Sequence, residues 1–212
     1  LAEKMPPKLT AHTGMDAMTH AIEAYVSTLH CNYTDPLALH AIKMIHNDLK
    51  KSYDGDMDAR DRMHDAQCLA GMAFSNALLG IAHSLAHKVG AQYEIPHGCC
   101  NAILLPNVVR YNAKACAARY ADIARALNLP GTTDEELVAA YVAAVEELNR
   151  RLDIAPTFRE HGVSEEKFES TLDFVATQAF GDPCTGSNPR QTSPEDLKKI
   201  LRCCYEGKKV DF

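Results

Sequence analysis

The sequence predicts an all-α protein, a bundle of roughly eight to ten helices of ordinary length. Three observations lead there. Runs rich in Ala, Leu, Met, Glu and Lys follow one another almost throughout, and alternating β-branched stretches are nearly absent. Helix starts are marked by capping residues at several points along the chain. No strand-like run leads through a glycine-rich turn into a helix, so nothing in this stretch builds a Rossmann-type phosphate site.

Taken in order, residues 1–9, L-A-E-K-M-P-P-K-L, are predicted to be a linker, because the double proline favours extended backbone. Residues 10–212 then form one helical domain. Asp35-Pro36 reads as N-cap and first helical residue of a helix running to about Leu49. Residues 58–81 and 113–128 are predicted helices. Thr133 with Glu136 makes a capping box. It opens a helix whose apolar face includes Leu137, Tyr141, Val145, Leu148 and Leu152, at helical spacing. Ser164 and Ser193-Pro194 are further N-cap signals, and Gly55, Gly131, Gly162 and Gly186 fall in the predicted breaks.

The chain has 212 residues, 46% hydrophobic and 24% charged, enough for a globular core in one domain or at most two. A net charge of −6 gives no basic field and argues against nucleic acid as a partner. No apolar run reaches the length of a membrane span, and the first residues do not read as a signal peptide. Leu1 in place of Met suggests a fragment. The 8 cysteines include no C-x-x-C pair, and two adjacent pairs suit a disulfide framework poorly. They are expected to be reduced thiols of a cytoplasmic protein, most of them small buried apolar residues.

Two stretches carry candidate chemistry. In T-G-M-D-A-M-T-H-A-I-E-A-Y, residues 13–25, Asp16 and His20 are four apart. On a helix their Cβ atoms lie about 6 Å apart on one face. That suits two ligands reaching one ion at about 2 Å each. Met15, Met18, Ile22 and Tyr25 suggest a largely buried helix, where an Asp and a His need partners. The plainer reading is an Asp–His pair that merely stabilises the helix. In G-I-A-H-S-L-A-H-K-V-G-A-Q-Y-E-I-P-H-G-C-C, residues 80–100, His83 and His87 share a helix face. His97 follows, with Pro96 stopping one element and Gly98 freeing the next. The plainer reading there is one exposed, one core and one loop histidine. Asp16, His20 and His83 with either His87 or His97 would give one carboxylate and three imidazoles. A divalent ion then keeps a net charge of about +1 and its Lewis acidity, and the lack of thiolates suits iron, zinc or manganese.

The stretches T-A-H-T-G-M-D-A-M-T-H-A-I-E-A-Y-V-S and A-H-S-L-A-H-K-V-G-A-Q-Y-E-I-P-H-G-C-C-N-A-I-L-L-P resemble the two signatures of the iron-containing (group III) alcohol dehydrogenases. D-P-C-T-G-S-N-P-R, residues 182–190, resembles that family's C-terminal end, and the likeness spans essentially the whole chain. It looks closest to the dehydrogenase half of bifunctional aldehyde–alcohol dehydrogenases and to butanol-type enzymes. The resemblance implies a metal held by Asp16, His20, His83 and His97, iron or alternatively zinc, acting as a Lewis acid on an alcohol or carbonyl oxygen. It places His87 beside the nicotinamide and the substrate, where an imidazole can relay a proton near neutral pH. It implies that Phe74, Leu79 and Cys184 line a substrate pocket, with core packing the plain alternative, above all for Leu79. The family's N-terminal α/β domain, with the glycine-rich turn that binds NAD(P), has no counterpart here. The chain therefore resembles the C-terminal, metal-binding half, inactive without its partner domain and homo-oligomeric when complete.

Two readings of other classes compete. His64-Asp65 could supply the adjacent pair of an HD-type metal-dependent phosphohydrolase, although a solvated helix face is the plainer meaning of that doublet. A catalytically silent helical module for partner binding would hold no stoichiometric metal. Nearer to the first reading stands the helical half of a glycerol dehydrogenase-like enzyme, with another metal and substrate.

Overall fold

A computed structural model describes residues 2–212. Among them are nine α-helices and two short 3-10 helices, and no strand. A 3-10 turn, Ala2–Lys4, precedes α1 (Pro7–Val26). There follow α2 (Thr34–Tyr53), α3 (Met57–Ala77), α4 (Ile81–Tyr93), α5 (His97–Ala126), α6 (Asp134–Arg151), α7 (Phe158–His161) and α8 (Glu165–Phe180). A 3-10 turn, Pro183–Ser187, leads to α9 (Pro194–Glu206).

The central helix is α1. Small and apolar residues surround its axis, and such a helix must be buried on most sides. It packs against α2, α3 and α5, while α5 in turn packs against α4, α6 and α9. The predicted apolar face of α6 is inward, with Leu137, Tyr141, Val145, Leu148 and Leu152 all buried. The Thr133–Glu136 capping box is formed, and Ser164 and Ser193 cap α8 and α9.

Several boundaries differ from expectation. Of the predicted linker, Leu1 lies outside the described residues, and Pro6 is extended, at φ −62° and ψ 152°. Pro7 already opens α1, a place where a missing N–H costs nothing. The preceding turn is tied down by the buried Arg60, whose guanidinium donates to the carbonyls of Glu3 at 2.9 Å and Met5 at 3.1 Å. The second helix starts at Thr34, before the expected Asp35, because the Asp35 carboxylate is engaged by Arg119 at 2.8 and 2.9 Å. Gly186 lies inside a 3-10 turn instead of a break. The eight cysteines are all free, as expected, but only Cys99, Cys100 and Cys204 are buried.

Two departures shape the site. The helix expected over 58–81 stops at Ala77, because Leu78 takes φ +61° and turns the chain. The chain bends by 107° between α3 and α4. The helix expected from 113 begins at His97 and bends at Cys116, whose φ −141° and ψ 42° leave the helical region. Its interior Pro106 cannot donate to the carbonyl four residues back. That carbonyl belongs to Ala102, and the side-chain amide of Asn149 on α6 donates to it at 2.7 Å. The proline is thus accommodated by a donor from another helix.

Candidate metal centre

Three elements converge on one point. α1 presents Asp16, His20 and Glu23, at i, i+4 and i+7 along one face. The first half of α4 presents His83 and His87. His97 is the first residue of α5, a helix-terminal histidine and not the loop histidine of the plainer reading. Gly98 does not free the chain. It lies within α5, where an added Cβ would sit 2.0 Å from the His12 carbonyl oxygen. Its lack of a side chain lets the start of α5 lie against α1, which brings His97 to Asp16.

Donor atoms of Asp16, His83 and His97 lie within 4.8 Å of one another. Asp16 Oδ1 is 3.3 Å from His97 Nε2 and 3.7 Å from His83 Nε2. Asn101, one turn after His97, donates to Asp16 Oδ1 at 2.7 Å. His83 is 1% exposed; its Nδ1 is 2.6 Å from Glu23 Oε2, and its Nε2 is buried without a hydrogen-bond partner. His20 stands just outside the trio. Its ring is stacked between Phe74 and His83, each at 4.4 Å between centroids, and its Nδ1 is 4.0 Å from Asp16 Oδ2.

The charges suit a cation. Burial works against ionisation of Asp16, but the facing His83, with His20, His97 and Asn101, outweighs it and holds the carboxyl at about 2. Burial and the nearby His83 push His20 down to about 4, so the neutral ring keeps one nitrogen lone pair free. Burial also lowers His97. His83 alone goes up, to about 9, because Asp16 and Glu23 overcome the effect of burial. A cation bound between Asp16 and His83 would compete with that proton. An ionised carboxylate, two neutral imidazoles and the unpartnered His83 Nε2 fit a divalent ion.

His87 belongs to a neighbouring group. Its Nδ1 is 3.1 Å from Asp182 Oδ2, which also takes the Lys88 ammonium at 2.9 Å. Its ring lies 5.3 Å from that of His97, nearly parallel. The i,i+4 pair His83 and His87 therefore does not act together: one faces Asp16, the other Asp182. Phe74, Leu79 and Cys184 do share one place. With Ser75, Leu78 and Pro183 they line an almost wholly apolar cavity of about 240 Å³, joined to the metal group through the Phe74–His20 stack. The Cys184 thiol is pushed up to about 12, chiefly by burial, and is no nucleophile there. His64 and Asp65 lie exposed on α3, and among the described residues no third ligand gathers with them.

Sequence reasoning did not single out Glu23, Asn101 or Asp182. Glu23 had a usable signal: an acidic residue on the face of Asp16 and His20, among Ile22, Tyr25 and Val26. Asp182 sat in the quoted 182–190 motif without a role, and Asn101 lay one turn beyond His97.

Comparison with known proteins bears on this geometry. Residues 10–205 match the model of the Fe-containing alcohol dehydrogenase family, C-terminal part. The chain is 59% identical over 212 residues to a protein of Clostridium saccharobutylicum described as an NADPH-dependent butanol dehydrogenase, covering 100% of this chain and 55% of that protein. It is 43% identical over 220 residues to an aldehyde-alcohol dehydrogenase of Streptococcus pneumoniae, covering 97% of this chain and 25% of that one. Among solved structures, a 1,3-propanediol oxidoreductase superimposes with a TM-score of 0.91 at 37% identity, over 96% of this chain and 53% of the other. An iron-containing alcohol dehydrogenase from Thermococcus thioreducens gives 0.89 at 35% identity, over 98% and 53%. The chain thus spans about half the length of the butanol dehydrogenase and of both solved structures, and a quarter of the aldehyde-alcohol dehydrogenase.

Proposed function

Because this chain belongs to the iron-containing alcohol dehydrogenase family, we propose that it is the metal-binding half of an NAD(P)-dependent enzyme interconverting an alcohol and an aldehyde or ketone. The observation that supports this best is the convergence of Asp16, His83 and His97 on the unpartnered His83 Nε2, beside an apolar cavity. The proposed metal ligands are Asp16, His20, His83 and His97, with iron as the resident ion and zinc as the alternative. An ion held there would supply Lewis acidity toward an alcohol or carbonyl oxygen.

The chain's own residues do the rest. Phe74 and His20 close one side of the site by stacking. Leu78, Leu79 and Cys184 offer an apolar wall for an aliphatic chain. Asp182 Oδ2 accepts a hydrogen bond from His87 Nδ1–H, which leaves His87 Nε2 free to take or give a proton at the substrate oxygen. The dinucleotide is bound mainly by an N-terminal half that lies outside this sequence, with His87 facing its nicotinamide from this side.

The test is metal content by mass spectrometry after anaerobic loading with iron or zinc. Wild type is expected to hold close to one ion per chain, and His97→Ala to lose it. Metal retained in His97→Ala but lost in His64→Ala would overturn the reading in favour of a site at His64 and Asp65.

A further inference from the structure

We propose that Glu23 is a positioning residue. Its buried carboxylate determines which nitrogen of His83 faces the metal group, and the same carboxylate holds the elbow that carries Leu78 and Leu79 to the apolar cavity. The proposal rests on the metal-site reading above and extends it to a residue outside the ligand set.

Glu23 is 2% exposed. A buried carboxylate needs several donors, and it has three. Oε2 lies 2.6 Å from His83 Nδ1 and accepts from Gly80 N at 2.9 Å; Oε1 accepts from Ala82 N at 2.7 Å. A carboxylate oxygen only accepts, so His83 must present Nδ1–H to it. That leaves Nε2 as the ligand nitrogen, on the side of Asp16.

The other two bonds serve the elbow. Gly80 is the N-cap of α4 and has no side chain with which to cap it. The first amides of a helix lack intrahelical partners, and a negative charge is favoured there. Glu23 meets both needs from α1. A Cβ on Gly80 would lie 2.8 Å from Glu23 Oε1 and 2.9 Å from Asn188 Oδ1, so the missing side chain is what admits the carboxylate. Two residues earlier, Leu78 holds φ +61°, a strained value for leucine that persists only where surroundings impose it. Ser27 Oγ donates to the Ala77 carbonyl and Ser187 Oγ to the Leu79 carbonyl, so the strained residue is bracketed on both sides. Glu23 completes the bracket and is the one member that also touches a metal-facing histidine.

The test uses the full chain with Zn²⁺ as the probe. Zn²⁺ affinity is measured by chelator competition for wild type, His83→Ala and Glu23→Gln, and ¹⁵N-histidine NMR of the Zn²⁺-bound wild type reports which nitrogen of His83 carries the proton. The expected result is loss of binding in His83→Ala, binding weakened about 10–100-fold in Glu23→Gln, and His83 protonated at Nδ1. Gly80→Ala, which crowds the same carboxylate without changing charge, should weaken binding in the same direction. If wild type takes no Zn²⁺, or His83→Ala binds as well as wild type, the metal-site reading itself fails. If His83→Ala loses binding but Glu23→Gln keeps it within threefold, only the role of Glu23 fails. Should Glu23→Gln not fold, the wild-type spectrum decides: zinc on Nδ1 of His83 overturns the proposal.

Discussion

Replacing Asn149 with alanine tests how α5 carries a proline in its interior. The Ala102 carbonyl has lost its helical donor to Pro106 and depends on the Asn149 amide at 2.7 Å. A buried carbonyl left without a donor costs about 1–3 kcal/mol. Part of that is returned, because Asn149 Oδ1 is itself buried without a partner and its removal relieves the cost. The net loss expected for Asn149→Ala is about 1.5 kcal/mol, a fall in Tm of about 3–6 °C for a chain of this size. The decisive form is a double-mutant cycle with Pro106→Ala. Alanine at 106 restores an N–H that can reach the Ala102 carbonyl, so in that background Asn149→Ala should cost under about 0.5 kcal/mol. A coupling of about 1 kcal/mol is therefore expected from urea unfolding followed by circular dichroism. Equal losses in both backgrounds would refute the reasoning and reduce Asn149 to ordinary packing.

Two further outcomes follow from the site. Gly98→Ala would drive a Cβ to within 2.0 Å of the His12 carbonyl oxygen; it should cost about 2–3 kcal/mol of stability and, by moving His97 off Asp16, weaken Zn²⁺ binding at least about tenfold, and unchanged calorimetric binding would refute it. The folded-state value of His83, about 9 against an ordinary 6.5, means that its charged form stabilises the metal-free protein fully below pH 6.5 and that this contribution is lost as pH rises through about 9. A cation must displace that proton, so apparent Zn²⁺ affinity should rise about tenfold per pH unit between those values, and a flat profile over that window would refute it.

What was legible in the sequence was what depends on neighbours in the chain. The Thr133–Glu136 box and the apolar stripe of α6 involve residues within one to five turns, and both stand as read. Asp16 with His20, and His83 with His87, were legible for the same reason, as spacings on single helices, whereas His97 stands at the start of another helix. The elbow after Ala77 was not. Leucine has no local preference for φ +61°. It is imposed by Ser27, 50 residues before the carbonyl it meets, and by Ser187, 108 residues after its own. The start of α5 at His97 was hidden likewise, because Gly98 reads as a place that frees the chain until the His12 carbonyl of α1 is seen against it.

The same distinction explains why the ligand candidates were visible and their supports were not. A ligand is recognised by residue type; a support is recognised by what it touches. Glu23 is an ordinary helical glutamate in sequence and becomes exceptional only when α4 lays Gly80, Ala82 and His83 around it. The two glycines nearest the site act in a related way. Gly98 has no room for a Cβ because of a backbone carbonyl of α1, and Gly80 because of the Glu23 carboxylate. Neither has a positive φ, so neither is there for conformational freedom. Each is a place where another element must come within contact distance of the backbone for a histidine to reach Asp16. A sequence reading that seeks a metal site on packed helices should therefore weigh the glycine beside a candidate ligand, and the acidic residue one turn further along the face, as part of the same constellation.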